Sequence, residues 1–484
     1  MNLRELLDKI NYIEVKGILD RDISDITHDS RKAEKGTAFA AIKGENRDGH
    51  DFIKGLVEKG IDIIFHQEEL KAYPDTATFI KLADSRKYMA DIAAVLNGNP
   101  SEKFELFGVT GTNGKTSTTY LIDHLLTSYG KKAATIGTNG VNIFGKNEKI
   151  ENTTPESPEL QKIFRRFAEA GVETAVMEVS SHALELFRVR KADFDYGVFT
   201  NLTMEHLDFH GDMESYYQAK KQLFYMVRKS SVINTDDSYG RRLYEELKKE
   251  GVKVHSFGKE GDYAITELEF KDQFYSFKLR LPDKSIHDIE IDTTALFHVY
   301  NTAGAIAICC EAGVPVDFLI ASAKKFKGAE GRFEYVENSL GFDIVIDFAH
   351  TPDALKNLLE TSKSHSGKTV IVFGVSGDRR QDIREEMGRV AGKYADYSII
   401  TMDDPKKDTV ENINRDIAKG LVSVSGRYEC IEDRTEAVKR AIDMCEPGDL
   451  LFFAGKGHER FMKIGDKKIP FDERVIIQEY LKNK

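Results

Sequence analysis

One stretch of nine residues constrains the fold more than any other. Gly108-Val109-Thr110-Gly111-Thr112-Asn113-Gly114-Lys115-Thr116 follows the apolar run FELFGV (Phe104 to Val109) and precedes the helical pattern TSTTYLIDHLLTSYG. Strand, glycine-bearing loop and helix in that order are the context a nucleotide-phosphate loop requires. Glycines let backbone N–H groups close on phosphate oxygens, and the helix N-terminus adds partial positive charge. In such a loop Lys115 reaches the β- and γ-phosphates and the Thr116 hydroxyl ligates Mg²⁺. The strict template G-x-x-x-x-G-K-[ST] is missed at its first position, where Val109 stands. An ATP site alone leaves the reaction open among a kinase, a motor, a switch and a ligase.

Short apolar strands alternate with helical patterns along the whole chain, which predicts an α/β protein with largely parallel sheets. At about 150 residues per domain, 484 residues suggest roughly three domains. A first segment, residues 1–100, ends at the breaker cluster Asn97-Gly98-Asn99-Pro100. It carries strands at 38–44 and 61–66 and a closing helix over 85–96. A second, 101–330, has strands at 104–109, 173–179, 196–201 and 231–235, a β-rich excursion over 263–291, and an apolar helix over 301–313 ending on Gly313. A third, 331–484, has strands at 343–348, 369–374, 397–401 and 449–455.

The formal charge of −11 argues against a general nucleic-acid coat, which needs a basic face. No run of ~18 apolar residues exists, so no membrane span is predicted. The four cysteines (Cys309, Cys310, Cys430, Cys445) lack C-x-x-C spacing and read as buried thiols in a reducing cytoplasm. Glu178 closes a strand, at the end that faces the ligand crevice of an α/β sheet, and is placed to serve Mg²⁺ near the phosphate loop. After the next strand, His206, Asp208 and His210 fall within five residues, and a neutral His206 ring is a ligand for a second divalent cation. Lys220, by itself, reads as a solvated helix lysine.

Taken together, the ordered motifs resemble the Mur ligase family, ATP-dependent amino-acid-adding enzymes of peptidoglycan precursor synthesis. They are His28-Asp29-Ser30-Arg31, Thr110 to Thr116, Asn152-Thr153-Thr154-Pro155, Met177 to His182, Asn201 to Gly211, Gly331-Arg332-Phe333-Glu334, Asp347 to Asp353, Gly377-Asp378-Arg379 and Gly455-Lys456-Gly457-His458-Glu459. The resemblance covers essentially the whole chain. It is strongest to members that add a third residue, a diamino acid, to UDP-N-acetylmuramoyl-L-alanyl-D-glutamate. It implies a UDP-binding domain, a central ATPase with a parallel sheet and a C-terminal Rossmann-like domain, acting as a cytoplasmic monomer.

By that resemblance Ser30 and the Glu45-Asn46-Arg47 loop hold the UDP end, and Asn152, Thr153, Thr154, Ser180 and Arg188 the sugar-peptide arm. Gly111, Thr112, Asn113, Gly114, Lys115 and Thr116 take the phosphates, and Asn301, Arg332 and Asp347 the nucleoside. Thr116, Glu178 and His206 serve two magnesium ions, and Lys220 falls on the family's carbamoylated lysine. Lys115, Glu178, His206 and Lys220 form the catalytic set. The chain departs from the family pattern at Leu186, where Gln is frequent, and at His298, where Asn is common.

For the added amino acid, the resemblance assigns Arg384, Asp403, Asp404, Lys406, Gly455 and Glu459. Members using meso-diaminopimelate usually carry Asp-Asn-Pro-Arg where this chain has Asp403-Asp404-Pro405-Lys406. Lys is a point charge and lacks the arginine fork, and Asp404 adds a negative charge suited to a terminal ammonium. On that ground L-lysine is favoured, with meso-diaminopimelate open. Rival readings are another ligase of the superfamily, such as a folylpolyglutamate synthetase or a different Mur step, and a nucleotide switch without ligation.

Overall fold

The computed structural model describes residues 1–44, 47–271, 274–482 and 484. Three α/β units, each with its own sheet, are built from residues 14–81, 105–291 and 334–454.

The first sheet has five strands in the order Glu14–Lys16, Thr78–Lys81, Ile63–His66, Thr37–Ala40 and Asp25–Thr27. All pair in parallel except Glu14–Lys16. The helix Ser85–Leu96 matches the predicted span, and the Asp84 side chain caps it by accepting from Lys87 N.

The middle sheet has eleven strands. Seven form a parallel run: Tyr263–Lys271, Val254–Gly258, Ser230–Asn234, Tyr196–Phe199, Glu105–Thr110, Thr174–Glu178 and Ala133–Gly137. Antiparallel strands extend it at both ends, Phe274–Arg280 and Ile286–Ile291 on one side and Gly140–Ile143 and Lys146–Glu148 on the other. The largely parallel expectation therefore holds for the centre and fails at the edges. Where helices cover both faces the strands are wholly buried, as in Thr174–Glu178. Along Tyr263–Lys271 burial turns to alternation after Ile265, the mark of a strand with one face in water.

The third sheet has six strands in the order Glu334–Tyr335, Asp343–Asp347, Leu450–Ala454, Thr369–Phe373, Tyr397–Ile400 and Tyr428–Cys430, parallel except for the first. The apolar helix expected from residue 301 begins earlier, at Leu296, and spans Leu296–Glu311. Gly313 follows it at φ +83°, with Val314 N returning to Cys309 O. The four cysteines are free thiols, but only Cys309 is buried, and Cys430 is exposed. Among the described residues no helix is long and apolar enough to cross a membrane.

Candidate active site

Three adjacent parallel strands end at one edge and set the centre of the site. Glu178 pairs in register with Val109, and Phe199 with Thr110. Val109 is therefore part of the strand and fully buried, and the loop turns only at Gly111, at φ +150°. The loop is tied to the neighbouring strand end: Thr112 N donates to Asn201 O (2.8 Å), Asn113 N to Asn201 Oδ1 (2.9 Å) and Thr200 Oγ1 to Asn113 O (2.6 Å). Lys115 Nζ donates to Gly111 O (3.0 Å) and Thr112 O (2.8 Å). The helix Lys115–Ser128 starts there, so its N-terminal N–H groups face the loop.

Glu178 is fully buried, and its carboxylate accepts from Thr116 Oγ1 (3.0 Å), Thr138 Oγ1 (3.1 Å) and Thr138 N (2.8 Å). His206 adopts a left-handed backbone at φ +57°. Its pKa is pushed down to about 4, by burial and by the nearby charge of Lys115, against the opposing pull of Glu205. The imidazole is thus neutral, as a metal ligand must be. Glu205 lies between two rings, 3.6 Å from both His206 Nε2 and His350 Nε2. Burial alone would raise its carboxyl, but those histidines and Lys115 hold it well below the usual carboxylate range.

Lys220 corrects the reading of a solvated lysine. The helix Met213–Met226 buries Tyr216, Tyr217, Ala219, Lys220, Leu223 and Phe224, and Lys220 is 1% exposed. Its Nζ donates to Gly111 O (2.8 Å) and stands 4.7 Å from the centre of the Tyr216 ring. Burial and nearby Lys115 push this amine well below its ordinary value. His210 bonds Ser181 Oγ (2.9 Å) and stacks on Tyr216, whereas Asp208 is exposed.

A cavity of about 660 Å³ joins these residues to the nucleoside and arm sets: Asn301, Arg332, Asp347, Asn152, Thr153, Thr154, Ser180 and Arg188 all line it. Asp347 accepts from Phe333 N and Ala349 N, both at 2.7 Å, and burial raises its carboxyl. Asn301 Nδ2 and Arg332 Nε are buried donors without a partner among the described residues. Thr154 Oγ1 donates to Glu178 O (2.9 Å), and Arg188 Nη1 donates to Thr154 O (3.2 Å), so the arm set is built onto the same strand end. Asp353, from the third unit, crosses to the phosphate loop and accepts from Asn113 Nδ2 and Thr203 Oγ1, both at 3.0 Å.

Two predicted sets lie apart from this cavity. Ser30 sits between Asp29 and Arg31, which pair with each other at 2.8 Å. Arg47 is exposed, and Glu45 and Asn46 fall outside the described residues. In the amino-acid set, fully buried Lys456 Nζ meets Asp403 (3.3 Å), Asp404 (3.0 Å) and Glu459 (2.7 Å). Gly455 joins this cluster, its hydrogen face toward Asp403. Lys406 is ion-paired with Asp378, and Arg384 with Asp408 (2.7 Å) and Asp416 (3.3 Å). Asp404 is not free to hold the terminal ammonium of L-lysine, because its charge is already met by Lys456 and by Lys463 N (3.0 Å). Glu205, His350, Asp353 and Lys456 stand within the sequence motifs, where nothing local marks them for a part in the site. Their partners lie up to 240 positions away.

Comparison with known proteins agrees with this architecture. Residues 109–309 match the Mur ligase middle domain, 331–457 the Mur ligase glutamate ligase domain, and 22–95 the Mur ligase family catalytic domain. The chain belongs to the Mur ligase family, whose members are ADP-forming amide ligases. It is 40% identical, over 99% of both chains, to the UDP-N-acetylmuramoyl-L-alanyl-D-glutamate–2,6-diaminopimelate ligase of Clostridioides difficile strain 630. The ligase of the same name from Caldanaerobacter subterraneus subsp. tengcongensis is 40% identical over 484 residues, covering 99% of each chain. A solved ligase of that name superposes with a TM-score of 0.70 at 28% identity, covering 100% of this chain and 99% of its own. The fold is also that of Mycobacterium tuberculosis folylpolyglutamate synthase (TM-score 0.62, 18% identity), which covers 76% of this chain and 91% of its own.

Proposed function

We propose that the protein joins 2,6-diaminopimelate to UDP-N-acetylmuramoyl-L-alanyl-D-glutamate, at the expense of ATP. The observation that carries this reading is a single cavity lined by the phosphate loop, the Glu178 and His206 pair and the residues of the arm and nucleoside sets. The full-length likeness to ligases of that name supports the choice of substrates. The folylpolyglutamate alternative leaves about a quarter of this chain without a counterpart.

In this reading a substrate carboxylate oxygen attacks the γ-phosphorus, the β–γ bridging bond breaks and ADP leaves. The diamino acid's neutral amine then attacks the acyl-phosphate carbonyl, an amide forms, and phosphate departs as the amine loses its proton. The first step brings two anions together, and Lys115 offsets their charge in a partly dehydrated site. Two hard oxygen donors suited to magnesium stand 3.0 Å apart, the Thr116 hydroxyl and the buried Glu178 carboxylate, and the neutral His206 ring lining the same cavity would add a nitrogen. Bound there, magnesium supplies positive charge to the phosphate oxygens. Asn301 Nδ2 and Arg332 Nε, buried and without a partner among the described residues, are donors for the nucleoside. Asp353, which reaches the phosphate loop, favours a cleft that closes over the acyl phosphate and keeps water from it.

The low-pKa amine of Lys220 reacts with CO₂ in its neutral form, the N–C bond forms, a proton leaves, and a carbamate results. Lys220→Ala is therefore expected to be inactive and to recover with an added short-chain carboxylic acid; full activity without it would reject the carbamate. Purified protein given ATP, the UDP-muramoyl-dipeptide and either meso-diaminopimelate or L-lysine should release phosphate and form tripeptide chiefly with diaminopimelate. Predominant use of L-lysine would overturn the assignment of the amino acid, and no phosphate release with either would overturn the reaction.

A further inference from the structure

The turn that carries Arg332 is held from outside the site by the last helix, Glu473–Lys482. Arg474, in its first turn, forks onto Glu334, with Nε to Oε1 at 2.7 Å and Nη2 to Oε2 at 2.5 Å. Its remaining arm, Nη1, reaches Glu330 Oε1 at 3.0 Å. Arg460 joins the same oxygen of Glu330 at 2.8 Å. One guanidinium therefore grips both ends of the segment Glu330 to Glu334, with Arg332 midway.

The grip passes into the backbone. Glu334 Oε2 also accepts from Gly331 N at 2.7 Å, and Phe333 N donates to Asp347 Oδ2 at 2.7 Å. Phe333 takes a left-handed φ of +50°, a conformation that persists only where its surroundings impose it. Arg332 leaves this turn with its guanidinium 4.6 Å from the centre of the Phe348 ring. The Arg474 side chain is 17% exposed and that of Glu334 26%, so the fork is mostly shielded from water. A bidentate arginine–carboxylate pair fixes direction as well as distance, and a lysine cannot replace it.

We propose that Arg474 is a positioning residue for nucleotide binding: through Glu334 and Glu330 it sets the turn that presents Arg332 to the nucleotide. Arg474 lies outside the matched residues 331–457 and belongs to no motif singled out from the sequence. The inference rests on the reading that Arg332 contacts the nucleotide.

The test uses the full chain, with ADP affinity by calorimetry and KM for each substrate. Arg474→Ala should raise the ADP Kd and the KM for ATP about tenfold, with kcat within about twofold and the KM for the amino acid unchanged. Arg474→Lys should fall between the wild type and Arg474→Ala. Because both act through one contact, Arg332→Ala with Arg474→Ala should be no worse than Arg332→Ala alone. Should Arg474→Ala not fold, Glu334→Gln is expected to give the same selective loss. Additive effects, or equal losses for all three substrates, would overturn the proposal. So would weakened ADP binding in Arg332→Ala with none in Arg474→Ala, which leaves the reading of Arg332 intact. Unchanged ADP affinity in Arg332→Ala would remove that reading and the proposal with it.

Discussion

Replacing Lys456 by methionine tests the buried charge cluster behind the amino-acid loop. The substitution keeps most of the volume and removes the one ammonium that Asp403, Asp404 and Glu459 share, at 3.3, 3.0 and 2.7 Å. Lys456 is 0% exposed, and Asp403 and Asp404 are 8% and 7% exposed, so water reaches the cluster only at Glu459, whose side chain is 22% exposed. Removing one partner of a buried ion pair costs about 3–5 kcal/mol, and three acids left together place this case at the upper end. At about 2–4 °C per kcal/mol for a unit of this size, the third unit should melt roughly 10–20 °C lower. Thermal melts, with hydrogen exchange of the strand Leu450–Ala454, would read it.

The loss should also depend on pH. Burial raises the Glu459 carboxyl above its ordinary 4.5, and Lys456 opposes that rise. An acid raised in the folded chain favours folding below its unfolded value and loses that contribution as pH rises through the folded one. Without Lys456 the rise grows, so the deficit of Lys456→Met should be larger at pH 8 than at pH 5. A variant that melts with the wild type, or one whose deficit grows on acidification, would refute the reasoning.

At Gly137 a methyl group would lie 2.3 Å from Glu178 Oε1, so Gly137→Ala should displace that carboxylate and cut kcat about a hundredfold with little change in melting. Unaltered turnover would show that Glu178 has room to move. At the end of the strands opposite the site, Glu311 raises the His255 pKa above 6.5, and Ser230 Oγ and Tyr263 OH donate to the same carboxylate at 2.9 Å. That contribution is complete below the unfolded value and fades as pH rises through the folded one. Urea titrations should therefore find wild type and His255→Gln further apart at pH 6 than at pH 9, and a gap independent of pH would refute it.

What could be read beforehand was what the chain states locally. The phosphate loop announces itself in nine consecutive residues, and the helix Ser85–Leu96 is bounded by the breaker cluster Asn97-Gly98-Asn99-Pro100 that follows it. Ala133–Gly137 is not legible as a strand because AATIG holds few strand-forming residues, and its neighbours alone make it one. The burial of Lys220 depends on which face of its helix meets the sheet, which no lysine can signal by itself. The state of Asp404 is hidden for the same reason: its charge is in the sequence, but Lys456, 52 positions on, is what meets it.

The two sides of the 660 Å³ cavity are anchored differently. One is fixed to three adjacent strand ends; the other reaches the middle unit through a connector in which Gly328, Gly331 and Phe333 all take positive φ. An inhibitor confined to the strand-end wall meets a surface already in shape, whereas one spanning both walls spends part of its binding energy fixing the third unit over the middle one. Small compounds selected against the first wall should therefore gain less than their added contacts suggest when they are extended across to the second.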